Sequence, residues 1–183
     1  MLFITAITLG ILLILKHLVA CTAPIFSKKF LQHFPRSSFW GILLLTIAGI
    51  WAFVLVATTD LGEFSPMRYF ILVGIVVGTG LFGWLAPDFL AVRSLGFVAL
   101  LAAHPVLEIT FLQSGWTSIL LSILAYIWII AGLFLVGIPY LLRNIITTIT
   151  APEHQRLWNL LAFLGLSYGL VLVASGAWTL LKS

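Results

Sequence analysis

The chain has 183 residues, of which 62% are hydrophobic and only 8% carry a charge. This composition excludes a water-soluble globule, because too little polar surface is available to cover an apolar core of that size. The net charge of +4 is a poor indicator of nucleic-acid binding, since no soluble basic surface is expected. The chain is therefore predicted to be an integral membrane protein.

Six continuously apolar runs follow one another along the chain. A spanning helix needs about 20 apolar residues to cross about 30 Å of hydrocarbon, whereas barrel strands are about 10 residues long and alternate between apolar and polar. The prediction is an all-α integral membrane protein, a compact bundle of about six transmembrane helices in a single domain, residues 1–183. The spans are expected at about 2–20, 39–57, 67–86, 94–113, 117–142 and 157–181.

The first run ends in Leu18-Val19-Ala20-Cys21, which has the form of a bacterial lipobox. A signal peptide begins with a positively charged segment before its apolar core, but this run begins uncharged, and Lys16-His17 interrupts the approach to the cysteine. We therefore expect the run to remain a membrane span with Cys21 as an interfacial thiol. Processing at Cys21 is the alternative.

Residues 24–36, between the first two spans, alternate bulky apolar pairs with basic groups at near-helical spacing. This pattern predicts a short amphipathic segment in the membrane interface, with its basic side chains at anionic lipid headgroups. A basic loop that only sets the topology is the simpler interpretation and is favoured over a specific lipid or partner site. The residues expected at headgroups are Lys28, Lys29 and Arg36.

Two GxxxG motifs occur in the apolar runs, Gly74 with Gly78 in the third and Gly165 with Gly169 in the sixth. This spacing places two small residues on one helix face, so that the backbone of a neighbouring helix can approach closely. Both motifs are predicted to pack helices inside the bundle, and homodimerisation through either is the alternative.

The fourth run contains a His and a carboxylate deep inside it, His104 and Glu108. Their i,i+4 spacing puts them on one helix face, and an ionised side chain at that depth is costly unless it is paired or hydrated. They are therefore expected to point into the bundle, with Arg93 on nearly the same face. Tyr126 and Tyr168 lie at a similar predicted depth, where a hydroxyl could reach His104.

Three functions are compatible with this helix. The favoured one is a structural or accessory subunit of a larger membrane assembly, without a cofactor, in which His104 and Glu108 determine helix packing. In the second, the same pair carries a proton or cation through a small transporter or channel. In the third, His104 is the axial ligand of a haem or a chlorophyll-type pigment. An enzyme is not expected, and no catalytic or metal site is predicted, because the sequence offers neither a nucleophile with a base nor several converging ligands.

Seven of the nine basic residues fall at the first, third and fifth connections. Because cytoplasmic loops retain positive charge, both termini are predicted to be extracytoplasmic, and a compact chain without a signal peptide suits a bacterial inner membrane. The expected partners are the lipid bilayer and either other membrane subunits or further copies of the chain, not nucleic acid.

Overall fold

The computed structural model describes residues 1–182, which form eight α-helices and, within that range, no strand. Six helical segments are long and apolar enough to cross a membrane, so the predicted all-α membrane class is confirmed. The helices are α1 (Leu2–Thr22), α2 (Pro24–His33), α3 (Ser38–Thr58), α4 (Arg68–Leu85), α5 (Leu90–Thr110), α6 (Trp116–Gly137), α7 (Pro139–Thr150) and α8 (Gln155–Lys182).

Two predicted spans end elsewhere than expected. The fifth, predicted to run to residue 142, ends at Gly137, and the separate helix α7 begins at Pro139. A residue before proline disfavours the helical conformation, while proline itself suits the first turn of a new helix. The fourth span is shifted toward the N-terminus, and the chain after it turns through Leu112 and Gly115, which have φ angles of 59° and 126°.

The short helices α2 and α7 lie at the connections that carry most of the basic residues. Helix α2 corresponds to the predicted amphipathic segment, whereas α7 was not predicted as a helix of its own. The Gln32 side-chain amide donates to the Thr150 hydroxyl at 2.9 Å, which joins the two helices. The first and fifth connections therefore meet at one end of the first unit.

Contacts within the chain divide it into two compact units. The first contains residues 1–33, 102–129 and the chain from Arg143 onward, and the second contains residues 34–101 and 130–142. The prediction of a single domain stays a prediction. The first unit has a core drawn from α1, α5, α6 and α8, which consists of Ala6, Ala103, Val106, Leu121, Leu124, Ala125 and Leu172.

Helices α1 and α8 of the first unit approach each other at glycines. A Cβ added to Gly10 would lie 2.9 Å from the carbonyl oxygen of Gly169, and one added to Gly169 would lie 3.0 Å from that of Gly10. A Cβ at Gly165 would collide with the imidazole of His17. The close approach that the second GxxxG motif predicts is thus present at Gly169, where backbone atoms of α1 are close, whereas at Gly165 the close atoms belong to the His17 side chain.

The second unit contains a hairpin of α3 and α4. A Cβ at Gly49 of α3 would lie 2.8 Å from Thr79 Cγ2 of α4, so the two backbones are close there. At the turn, the Arg68 guanidinium donates to the carbonyl oxygens of Ala57 (3.0 Å) and Thr59 (2.8 Å). Carbonyls at a helix C-terminus have no partner within the helix, and Arg68 supplies one while joining the two helices.

The Ser94 hydroxyl is fully buried in α5 and has no hydrogen-bond partner among the described residues. We expect Ser94→Ala to leave the stability unchanged or to raise it by up to about 1 kcal/mol, because it removes a buried hydroxyl without breaking a bond. The matched control is Ser118→Ala, which removes a bond of 3.1 Å to the carbonyl oxygen of Thr110 and is expected to cost about 1 kcal/mol. Thermal unfolding in the same detergent compares the stabilities of the two variants with that of the wild type. An equal loss in both variants would contradict the prediction.

Candidate functional site

The polar pair of α5 lies on the outside of the chain. His104 and Glu108 are both exposed, and neither forms a hydrogen bond or ion pair within the part of the chain that the structure describes. The prediction that they point into the bundle is therefore wrong. Ala103 and Val106 face the core instead, because small side chains allow neighbouring helices to approach. Helical periodicity then turns His104 and Glu108 outward.

The observed end of α5 also changes the depth of this pair. Since the helix ends at Thr110, the rise of about 1.5 Å per residue places Glu108 about 3 Å and His104 about 9 Å before its end. Glu108 thus lies in the last turn, where a carboxylate is also opposed by the helix dipole. His104 is the deeper of the two groups. If no other protein covered this surface of α5, its imidazole would contact lipid hydrocarbon.

The other residues predicted near His104 have different surroundings. The Tyr168 hydroxyl donates to the carbonyl oxygen of Leu120 at 2.6 Å, so the prediction that it reaches His104 is wrong. Tyr126 is 58% exposed on α6. Arg93 belongs to the second unit, where its guanidinium carbon lies 6.0 Å from the centroid of the Phe82 ring.

The first GxxxG motif has no close neighbour among the described residues. Gly74 and Gly78 are exposed on α4, and a Cβ added to either would meet nothing within 4 Å. The predicted close packing inside the chain is therefore absent at these two glycines. They border an apolar cavity of about 430 Å³ in the second unit, together with side chains of α3, α4 and α5 that include Leu45, Ala48, Phe82 and Phe97.

A larger cavity of about 620 Å³ lies in the first unit, where α1, α2, α7 and α8 meet. Its polar lining residues are Lys16 and His17 of α1 and Ser27 of α2. These residues were not predicted as a site, although the adjacent pair Lys16-His17 inside an otherwise apolar run was a visible signal. The apolar lining is formed by Leu15, Val19, Ala20, Phe26, Phe30, Leu31, Ile149, Trp158, Leu161 and Ala162.

One of the three residues predicted at lipid headgroups lies beside this cavity. Lys28 donates to the side-chain oxygen of Gln155 at 2.6 Å, and its ammonium lies 5.3 Å from the centroid of the Trp158 ring. Lys29 is exposed on α2, and Arg36 is exposed in the short 3₁₀ helix of the second unit. Lys28 and Lys29 thus differ in environment, because Lys28 contacts other side chains and its neighbour Lys29 is exposed.

The His17 ring has a defined position. Its Nδ1 lies 2.8 Å from the carbonyl oxygen of Leu13, which can only accept, so Nδ1 carries a hydrogen. The ring occupies the space that a Cβ would fill at Gly165. Nε2 is therefore an acceptor in the neutral ring and a donor in the protonated one.

No family model, no curated protein and no solved structure matches the chain. Within residues 1–182, no group of three His, Cys, Asp or Glu side chains is placed to hold a metal ion, and Cys21 is a free, exposed thiol. A function is accordingly inferred from the exposed and unpaired polar residues themselves.

Proposed function

We propose that the protein is a subunit of a larger membrane assembly and that α5 forms part of its contact with the next subunit. The observation that carries this proposal is the exposure of His104 and Glu108 without any partner in the described chain. Ionisable side chains inside membrane spans normally face protein or water, because hydrocarbon offers them no hydrogen bonds. A neighbouring subunit that covers this face supplies those bonds.

The surface of α4 supports the same proposal independently. None of its residues is buried, and the Gly74 and Gly78 face has no neighbour within reach of a Cβ. In a bilayer, where lipid tails are as apolar as the side chains, helices associate largely through such close backbone contacts. A second helix seated on this face would gain the contact that the chain itself does not make.

The proposed partner is a membrane protein, either a different subunit or a second copy of this chain. Either must place a hydrogen-bonding group beside the imidazole of His104. A second copy can do so with its own Glu108 where the two α5 helices cross, because Glu108 lies only about one helical turn, about 6 Å, along the helix from His104. No soluble partner is needed, because the polar pair lies within an apolar helix.

We further propose that the assembly lies in a bacterial inner membrane and that both termini are extracytoplasmic. The bonds from Lys28 to Gln155 and from Gln32 to Thr150 support this orientation, since they gather the first and fifth connections at one end. Arg143 and Arg156 are exposed in the fifth connection. The end at which the two connections meet therefore carries an excess of positive charge, as expected for the cytoplasmic side.

We expect replacement of His104 and Glu108 by leucine to weaken the assembly about tenfold or more while leaving the folded chain intact. Each lost polar contact in a buried interface is worth about 1–3 kcal/mol, and about 1.4 kcal/mol is a factor of ten. The assembly is measured by native mass spectrometry after gentle extraction from the native membrane. The matched control is Ile119→Ala with Ile123→Ala, an i,i+4 pair that is also exposed but apolar.

Persistence of the assembly in the double leucine variant would contradict the proposal. A wild-type chain that is extracted alone, and that conducts protons in vesicles only when His104 is present, would replace it with the transport function. A visible absorption band lost with His104 would replace it with pigment binding. Equal losses in the variant and in the isoleucine control would show that any change of the outer surface disrupts the complex.

A further inference from the structure

The cavity of the first unit has the features of a binding site that the proposed assembly does not use. At about 620 Å³, it falls within the range of about 300–1,000 Å³ that small-molecule sites occupy. It lies at one end of the first unit, near the C-terminal ends of α1 and α7 and the N-terminal ends of α2 and α8. By the helical rise, Lys16 is about 9 Å from the end of α1 at Thr22, so the cavity extends from the interface into the span.

The ionisable side chains of the lining are all basic. Lys16 and His17 are the titratable side chains of the lining, and none of the lining residues is acidic. Lys16 forms no hydrogen bond or ion pair with any residue that the structure describes. An ammonium inside an apolar span needs either an anion or water, and the lining supplies no anion.

Side-chain contacts hold two residues of the lining, Trp158 and Ser27, in place. The indole N–H of Trp158 donates to the carbonyl oxygen of Ala20 at 3.2 Å, and Trp158 is only 6% exposed. The Ser27 hydroxyl donates to the carbonyl oxygen of Val19 at 3.3 Å. Lys28, placed over the Trp158 ring and bonded to Gln155, retains further N–H donors for a second acceptor.

We propose that this cavity binds one anionic phospholipid, with its phosphate between Lys16 and Lys28. The acyl chains lie along the apolar side chains of α2 and α8, among them Phe26, Phe30 and Leu161. Charge complementarity selects an anionic headgroup over a zwitterionic one. The apolar lining selects a lipid over free phosphate, because inorganic phosphate gains nothing from burial against aromatic and aliphatic side chains.

Native mass spectrometry of the full chain, titrated with defined lipids, tests this site. The probes are phosphatidylglycerol, phosphatidylcholine with the same acyl chains, and inorganic phosphate. We expect one phosphatidylglycerol to remain bound where phosphatidylcholine and phosphate dissociate. Lys16→Gln and Lys28→Gln are each expected to weaken phosphatidylglycerol binding about fivefold or more, the typical contribution of one cation at a lipid headgroup.

Lys29→Gln is the matched control, because Lys29 is the exposed neighbour of Lys28 but, unlike Lys28, makes no contact with Trp158 of the lining or with Gln155. It is expected to leave the bound lipid in place, and Lys16→Arg is expected to retain most of the affinity. An equal loss in Lys29→Gln and Lys16→Gln would overturn the site in favour of general surface attraction. Equal retention of phosphatidylcholine, or equal binding of free phosphate, would also overturn it. Thermal unfolding without anionic lipid verifies that the variants remain folded.

Discussion

Replacement of Gly10 by alanine is expected to make the chain about 1–3 kcal/mol less stable than the same replacement at an unpacked helical glycine, the usual cost of overpacking a tight contact. The new Cβ would lie 2.7 Å from Val173 Cγ2, 2.9 Å from the Gly169 carbonyl oxygen and 3.1 Å from the Val173 backbone nitrogen. The Val173 side chain can rotate, but the two backbone atoms cannot move unless α1 and α8 separate. Gly169→Ala is expected to have a similar effect, because its Cβ meets the Gly10 carbonyl oxygen at 3.0 Å.

Thermal or denaturant unfolding in one detergent measures this loss. Gly80→Ala is the control, since a Cβ at Gly80 of α4 meets nothing within 4 Å. Alanine is the better helix former by about 1 kcal/mol, so the control is expected to keep or raise the stability. If Gly10→Ala is as stable as Gly80→Ala, the close pairing of α1 with α8 is incorrect.

Replacement of Gly78 by isoleucine is expected to weaken the proposed assembly about tenfold or more without lowering the stability of the isolated chain. Within residues 1–182, nothing lies within 4 Å of a Cβ at this position, and the open cavity beside it leaves room for a longer side chain. A branched side chain on a glycine face prevents the backbone contact on which membrane helix pairs depend. This result rests on the proposed function and involves a different helix from His104.

The control for this variant is Gly80→Ile on the same helix. Gly80 is equally exposed and equally free of neighbours, but at about 100° per residue it lies on the opposite side of α4 from Gly78. The amount of intact assembly is measured by native mass spectrometry, as for the His104 and Glu108 variant. The stability of each isolated variant chain is measured by thermal unfolding. An intact assembly in Gly78→Ile would remove α4 from the interface, and equal losses at both positions would contradict a contact specific to the Gly78 face.

Comparison of the two GxxxG motifs shows where a sequence pattern stops being informative. Gly74 with Gly78 and Gly165 with Gly169 have the same spacing in equally apolar runs. Only the second pair has a neighbouring helix against it. The motif indicates that another helix can approach this face closely. Whether a helix of the same chain packs there depends on the path of the other helices.

The sequence by itself determined the membrane class, the six long helices and the amphipathic helix α2. Composition and the length of apolar runs suffice for these, because a bilayer imposes both on any helix that crosses it. Pro139 was also visible, and it divides the predicted fifth span because proline begins a helix more readily than it continues one.

Only the tertiary structure decided which side of each helix meets a neighbour. Periodicity placed His104 and Glu108 on one face of α5, but the packing of Ala103 and Val106 in the core turned that face outward. Tertiary contacts likewise placed Lys16 of α1 and Trp158 of α8 around one cavity. The physical reason is that a transmembrane helix is apolar on all sides, so hydrophobicity alone does not distinguish its lipid-facing side from its buried one.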